Sequence, residues 1–208
     1  MINDFFNYGS AIAAVIALII TVWQAKLSNK QALFDRRVKV YIDSMSFIEM
    51  YKENEKSIIK SIRQKEPFFT IDFDMASLTN NSYLENLMLG FSTPLGDSHK
   101  EFLVKIEEIK KLALEIDLLF GKKYSIFLSE FILNYQKLLF NMYQYNIHFE
   151  KVKKYAKEYN KSLEESVSHL KEEETRTILI NSYAKLKNSY DALNSGDTMR
   201  KIKKMIKL

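Results

Sequence analysis

Lys153, Lys157 and Lys161 recur at every fourth position, with Lys151 and Lys154 beside them and Tyr155 and Tyr159 interleaved. Ammonium groups one helical turn apart can hold successive phosphates while aromatic rings stack on bases. Lys153, Lys154, Lys157 and Lys161 are therefore the candidate site for an anionic ligand, a nucleotide or a single-stranded oligonucleotide. The same residues also suit the solvated face of a long helix, with Tyr159 belonging to that helix's apolar seam. No arginine stands among them, so recognition would rest on point charges rather than bidentate forks.

Two further groups carry possible chemistry. The tail holds Arg200, Lys201, Lys203, Lys204 and Lys207 against an apolar edge of Met199, Ile202, Met205 and Ile206. That pattern reads as a short basic amphipathic helix for an anionic membrane surface, or as a frayed tail. Near the other terminus, Gly9, Ala13, Ala17 and Thr21 place a small residue at every fourth position of an uncharged stretch. Small-xxx-small spacing lets helices approach closely in lipid, and a Thr21 hydroxyl can bond across such a contact or line a narrow pore. An Ala-rich anchor with chance spacing would look the same. With no ionisable residue in the stretch, any pore would be gated by apolar constriction.

Catalysis has little to draw on. His99, His148 and His169 are scattered without ligand-spaced neighbours. Cysteine is absent, which removes disulfides, thiolate metal sites and a thiol nucleophile. Five glycines cannot form a phosphate cradle when spread so thinly. Asp72 and Asp74 flanking Phe73 are a weak carboxylate pair. Ser57 and Lys60 match a Ser-x-x-Lys spacing without its companion motifs. The expectation is a protein that is not an enzyme and holds no cofactor or metal.

The elements that must position these groups begin at the N-terminus. Residues 5–25 run 21 positions without a charge, about 31 Å of helix at 1.5 Å per residue, enough for a hydrocarbon core of roughly 30 Å. Tyr8 and Trp23 sit near its ends, as interfacial rings do. Asp4 precedes it; Lys26, Lys30, Arg36, Arg37 and Lys39 follow. A signal peptide would need a basic start and a small-x-small cleavage site, and neither is present. The expectation is a retained single span in the inner (plasma) membrane, with the N-terminus outside and the bulk of the chain in the cytoplasm.

The rest reads as all-α. Pro67, Gly90, Pro94, Gly96, Gly121 and Gly196 mark the breaks. The expected organisation is a tail and span at 1–25, a juxtamembrane helical strut at 26–64, a helical bundle at 65–197 and a basic amphipathic tail at 198–208. The span should continue into the strut as one helix over roughly 5–64, stopped before Pro67. A short helix is expected near 82–89. Ser98 and Glu101 read as a capping box ahead of a helix ending at Gly121. From Tyr124 through Leu128, Phe131, Tyr135, Leu138, Met142, Tyr145, Phe149, Val152, Ala156 and Tyr159 to Leu163, apolar steps alternate four and three. That implies a helix of about forty residues packed along its length, and the ring-rich seam favours a wide bundle over a tight coiled coil. A last helix carries Leu179, Tyr183, Leu186, Tyr190 and Leu193. The net charge of +5 over the whole chain favours anionic neighbours such as lipid headgroups or nucleotides.

The string LFDRRVKVY at residues 33–41, directly after the uncharged stretch, resembles a pattern of small bacterial single-span proteins, including membrane effectors of anti-phage defence such as the channel-type effector of the Hailong system. The likeness covers roughly residues 8–50. It implies a homo-oligomeric effector, an ion channel or a bilayer-perturbing protein, whose cytoplasmic helices sense a nucleotide or oligonucleotide. The alternative is a non-enzymatic membrane-tethered scaffold or adaptor for a protein partner.

Overall fold

The computed structural model describes the backbone of residues 2–63, 71–85, 87 and 97–206, and the side chains of 13–63, 75–85, 87 and 99–206. Among these residues all regular structure is helical: α1 (Ile2–Ile62), α2 (Ile71–Leu78), α3 (Asp97–Phe120), α4 (Lys122–Glu158), α5 (Leu163–His169), α6 (Glu172–Ser195) and α7 (Thr198–Met205). The all-α expectation holds.

Helix α1 is one unbroken helix of 61 residues, about 91 Å long. No proline falls within it, and its one glycine, Gly9, lies near its start, so nothing local interrupts the hydrogen-bond ladder. The bond from the Arg63 N–H to the Lys60 carbonyl (3.1 Å) tightens its last turn.

Helix α4 is the central post. Helix α3 packs along one side of it and α6 along another, while α1 lies against α6, α2, α3 and α4. The α3–α4 reversal is made at Gly121, whose φ of 74° is a left-handed conformation that a side chain would disfavour. Ser125 secures the turn by donating to the Asp117 carboxylate at 2.7 Å. Apolar residues at helical spacing fill the centre: Phe102, Ile106, Ile109, Ala113, Ile116 and Phe120 of α3 are all buried, as are Leu179, Tyr183, Leu186, Tyr190 and Leu193 of α6.

The α4 seam is buried from Leu128 to Val152, but the helix stops at Glu158, short of the expected forty residues. Asn160 takes φ 48° and the Lys161 N–H bonds the Ala156 carbonyl at 2.9 Å, a left-handed C-terminal stop that asparagine tolerates better than most residues. Ser162 then caps α5 by accepting from the Glu165 N–H at 3.1 Å. Leu163, expected on the α4 seam, belongs to α5.

Three other expectations are corrected. The strut and bundle are not separate: residues Val40, Phe47, Tyr51 and Ile58 of α1 are buried in the common core. Of the helix expected near 82–89, Ser82 to Glu85 instead form turns, closed by the Leu84 N–H on the Asn81 side-chain oxygen at 2.8 Å, Leu87 is helical, and residues 86, 88 and 89 lie outside the described residues. Helix α3 starts at Asp97, which puts Ser98 inside the first turn rather than at the cap, and its side chain lies outside the described residues.

The core is built on rings. Phe47 meets Tyr135 edge-on with centroids 5.0 Å apart, Tyr51 meets Phe131 at 5.9 Å, and Tyr51 lies 4.0 Å from Tyr190. The Tyr135 hydroxyl donates to the Leu78 carbonyl at 2.8 Å, tying α2 to α4. The buried Tyr51 hydroxyl has no hydrogen-bond partner among the described residues. These two tyrosines should therefore respond oppositely. Tyr135→Phe should cost about 1–2 kcal/mol by orphaning the carbonyl, while Tyr51→Phe should be neutral or slightly stabilising. Urea unfolding of the full chain compares them; equal losses would remove the distinction.

Candidate functional site

The described part of the uncharged stretch packs on nothing. Every side chain from residue 13 to residue 33 is exposed, with Val15 at 57%, Leu18 at 66% and Trp23 at 64%. A contiguous exposed apolar surface of this size is a contact surface for something else. Ala13, Ala17 and Thr21 lie in it; Gly9 falls outside the residues whose surroundings are described. The Thr21 hydroxyl donates to the Ala17 carbonyl at 2.8 Å, so its proton is already committed within its own helix. Among the described residues no helix is long and apolar enough to cross a membrane.

Where the bare helix enters the bundle, two adjacent arginines act differently. Arg37 is half-buried, and its guanidinium donates to the Leu119 carbonyl (3.1 Å) and the Met205 carbonyl (3.2 Å). Those carbonyls lie in the last turns of α3 and α7, where helix carbonyls lack intrahelical partners and the dipole favours a cation. One planar fork thus closes two helix ends onto α1. Arg36 instead pairs with Glu115 at 2.6 Å while remaining mostly exposed.

Beside this collar, α1 and α3 border a polar cleft of about 450 Å³ containing Arg36, Lys39, Asp43, Tyr83, Lys105 and Glu108, with Lys111 and Glu115 at its edge. Lys105 pairs with Glu108 at 2.7 Å and lies 4.2 Å from the Tyr83 ring centre. Burial raises the Asp43 carboxyl above its ordinary value, opposed by Lys39 and Lys105. Burial, followed by Asp43, Glu108 and Glu115, pushes the Tyr83 phenol up to about 12. Cations and carboxylates here largely neutralise one another, so the cleft is a poor anion receptor.

The lysine stripe lies at the opposite end of α4. Lys153, Lys154, Lys157 and Lys161 are all exposed. Lys153 pairs with Glu150 at 2.7 Å; Lys154, Lys157 and Lys161 make no ion pair among the described residues. The interleaved tyrosines do not share their face. At 100° per residue Tyr155 points about 160° away from both Lys153 and Lys157. Its ring is stacked on His169 (4.7 Å) and leans on Tyr159 (4.6 Å). Only Lys161, past the helix end, comes over Tyr155, 5.6 Å from its centre. The expected pairing of phosphate-holding lysines with base-stacking rings is corrected: Tyr155 does not stand between Lys153 and Lys157, and Lys153 lies instead over the Phe149 ring, 5.0 Å from its centre.

The basic tail folds as α7. Arg200, Lys201, Lys203 and Lys204 are exposed, and Arg200 pairs with Asp197 at 2.6 Å; Lys207 lies outside the described residues. The apolar edge is not free to enter a membrane. Ile202 is fully buried, and Met199, Met205 and Ile206 pack against the core. The tail's hydrophobic face is spent on its own bundle, leaving only its cations for an anionic surface.

Two functional-looking groups have no counterpart in the sequence reading. Arg37 was legible only as one of five cations after the uncharged stretch; its acceptors lie 82 and 168 residues away. Glu172 is fully buried, held by the Tyr145 hydroxyl and by Arg176 at 3.6 Å, a paired buried charge that fixes the start of α6 on α4. Among the described residues no cluster of acidic or histidine side chains is placed to hold a metal.

No family model, curated protein or solved structure matches this chain.

The collar makes a sharp stability contrast. Arg37→Ala should lower stability by about 1.5–3 kcal/mol, because it removes two hydrogen bonds from a charged donor. Arg36→Ala removes an exposed pair and should cost less than about 1 kcal/mol. Thermal unfolding followed by circular dichroism measures both, and an Arg37 effect no larger than that of Arg36 would deny the collar its role.

Proposed function

We propose that this chain is a membrane-anchored oligomeric effector, without catalysis of its own, whose helical body responds to an anionic signal and acts on the bilayer, as a conducting or perturbing assembly. One observation carries the reading. The exposed, uncharged surface from residue 13 to residue 25 belongs to the same unbroken helix whose later residues are buried in the bundle. On this reading residues 5–25 form the span, with the N-terminus outside and the bundle in the cytoplasm, and the five following cations support that orientation. Whatever shifts the bundle shifts the membrane helix, because nothing flexible separates them. Lys154, Lys157 and Lys161, exposed and without ion pairs among the described residues, are the groups for a nucleotide or single-stranded oligonucleotide. The resemblance at residues 33–41 to anti-phage membrane effectors points the same way. A passive tether for a protein partner would share the anchor but would need neither an anionic ligand nor self-association.

The anchor is tested with Val15→Arg in the full chain. Arginine at mid-span costs roughly 2.5–3.5 kcal/mol of insertion, and residue 15 packs on nothing in the bundle. The wild type should stay in an alkali-resistant membrane pellet, and the variant should move to the supernatant with its helix content unchanged. A wild type that washes off with alkali refutes the anchor.

The signal is tested by changing Lys154, Lys157 and Lys161 together to Gln in detergent-solubilised protein and titrating a fluorescent oligothymidylate. Affinity should fall, and the slope of log affinity against log salt should flatten by about 2, at roughly 0.7 per lost contact. No binding by the wild type at low salt would leave the passive tether as the better reading.

A further inference from the structure

The apolar face of α1 does not end where the uncharged stretch ends. Phe34, Asp35, Val38, Lys39, Ile42 and Asp43 line a shallow groove on the outer side of α1. Phe34 and Val38 are only half-covered and Ile42 is 57% exposed, while the opposite side of the same turns, Val40 and Phe47, is buried in the bundle. The groove starts nine residues beyond Ala25, about 13 Å along the axis, and runs to about 26 Å. Hydrocarbon covering residues 5–25 does not reach it, which leaves its apolar strip open to a protein surface.

The register identifies that surface. Ala13, Ala17, Ile20, Gln24, Leu27, Gln31, Phe34 and Val38 follow one another in alternating steps of four and three. At 100° per residue all of them lie within about 60° of the direction of Val38, and each from Ala13 to Gln31 is exposed. That is a heptad seam continuing from the small-residue face into the groove. Lys30 and Asp35 flank it, five residues apart and oppositely charged. In a parallel pair of identical helices this is the spacing at which a flanking residue of one chain meets its counterpart of the other. Parallel alignment follows from the anchor, since copies inserted with the same topology point the same way. Gln24 and Gln31 on the seam can bond across it and fix the register, as single polar core residues do in coiled coils.

We infer that a second copy of this chain packs its α1 in parallel along the seam from Ala13 to Ile42, so that the self-association interface extends some 25 Å below the membrane. The inference rests on the membrane reading above for its orientation, and its test separates the two. The chain has no cysteine, so single introduced thiols report proximity without background. In native membranes holding the full chain, Ala13→Cys and Val38→Cys should oxidise to disulfide-linked dimers several-fold more than Leu33→Cys. Leu33 is exposed at nearly the same height but about 140° round the helix from Val38. With Val38→Cys as reporter, adding Lys30→Asp should lower the dimer yield by on the order of threefold, for two symmetric pairs. Combining Lys30→Asp with Asp35→Lys should restore it, an outcome that a folding defect cannot give.

Dimers from Ala13→Cys but none from Val38→Cys overturn the extended seam while leaving the membrane reading intact. Equal linking at Val38 and Leu33 also overturns it, as random collision. Linking at Val38 in a chain that alkali removes from membranes keeps the seam and overturns the membrane reading instead.

Discussion

A single helix with two environments is the constraint on which the rest of this structure depends. Helix α1 has no internal proline, and after Gly9 no glycine, so its backbone ladder cannot give way between the bare residues and the buried ones. The bundle must therefore grip a rod whose other half lies outside it. Phe47, Tyr51 and Ile58 provide the grip by burial. Arg37 provides the collar, because the carbonyl ends of α3 and α7 both converge on its guanidinium. Deeper in, α1 is held mainly by apolar, non-directional contacts, with the Asn54 amide donating to the Ser77 carbonyl of α2 at 3.1 Å. At the collar it is held by directed hydrogen bonds, which fix its rotation as well as its position.

The choice of rings over aliphatic side chains follows from that geometry. Helix α1 meets the post α4 and the flanking helices α3 and α6, and large rings reach across such multi-helix contacts with more apolar area than Leu or Val. Phe47, Tyr51, Phe131, Tyr135 and Tyr190 form one connected set of edge-on and tilted contacts. The hydroxyls then have to be accommodated. Tyr135 uses its hydroxyl to hold α2, and burial raises its phenol well above the ordinary value. Tyr145 uses its hydroxyl on the buried Glu172. The Tyr51 hydroxyl has no such outlet among the described residues, so on them the centre of the ring set carries a buried polar atom, on α1 itself, without a partner.

The long seams were readable in the sequence because heptad steps repeated many times leave one interpretation. Phe102 to Phe120, Leu128 to Val152 and Leu179 to Leu193 are buried as their spacing implied. Of the short helices, α7 was readable from its alternation of cations and apolar residues, whereas α2 and α5, with eight and seven residues, carry no such contrast and have too few turns for a period alone to stand out. Helix α5 does leave a trace in Ser162 and Glu165, a capping pair masked by the α4 pattern, which runs on to Leu163. The candidate site was less legible for a different reason. Lysines and tyrosines adjacent in sequence looked like one surface, yet helical angle alone puts Tyr155 across from Lys153 and Lys157. The tail's cations were recognised, but its apolar edge had two possible partners, lipid and protein, and sequence cannot choose between them. Arg37 had no local signature at all.

The chemical segregation of the bundle limits how it could transmit a signal. Lys154, Lys157 and Lys161, without ion pairs among the described residues, stand at one end of α4 and the collar at the other, with the self-neutralised cleft beside the collar. A ligand at the lysines touches neither α1 nor the collar directly. Its influence on α1 has to pass along α4, either directly where Phe131 and Tyr135 meet Tyr51 and Phe47 or by way of α6, whose Tyr190 also meets Tyr51. Transmission requires a second arrangement of that set that the ligand favours by differential affinity. Close-packed rings change arrangement by switching rotamers rather than by deforming smoothly. The Tyr51 hydroxyl, without a partner among the described residues, is the member of the set with most to gain from a different position, one that offers it an acceptor. A rotation of Tyr51 would move the rod at the level of the grip, and with Arg37 as the fixed point the movement would appear as tilt of the bare helix rather than as sliding.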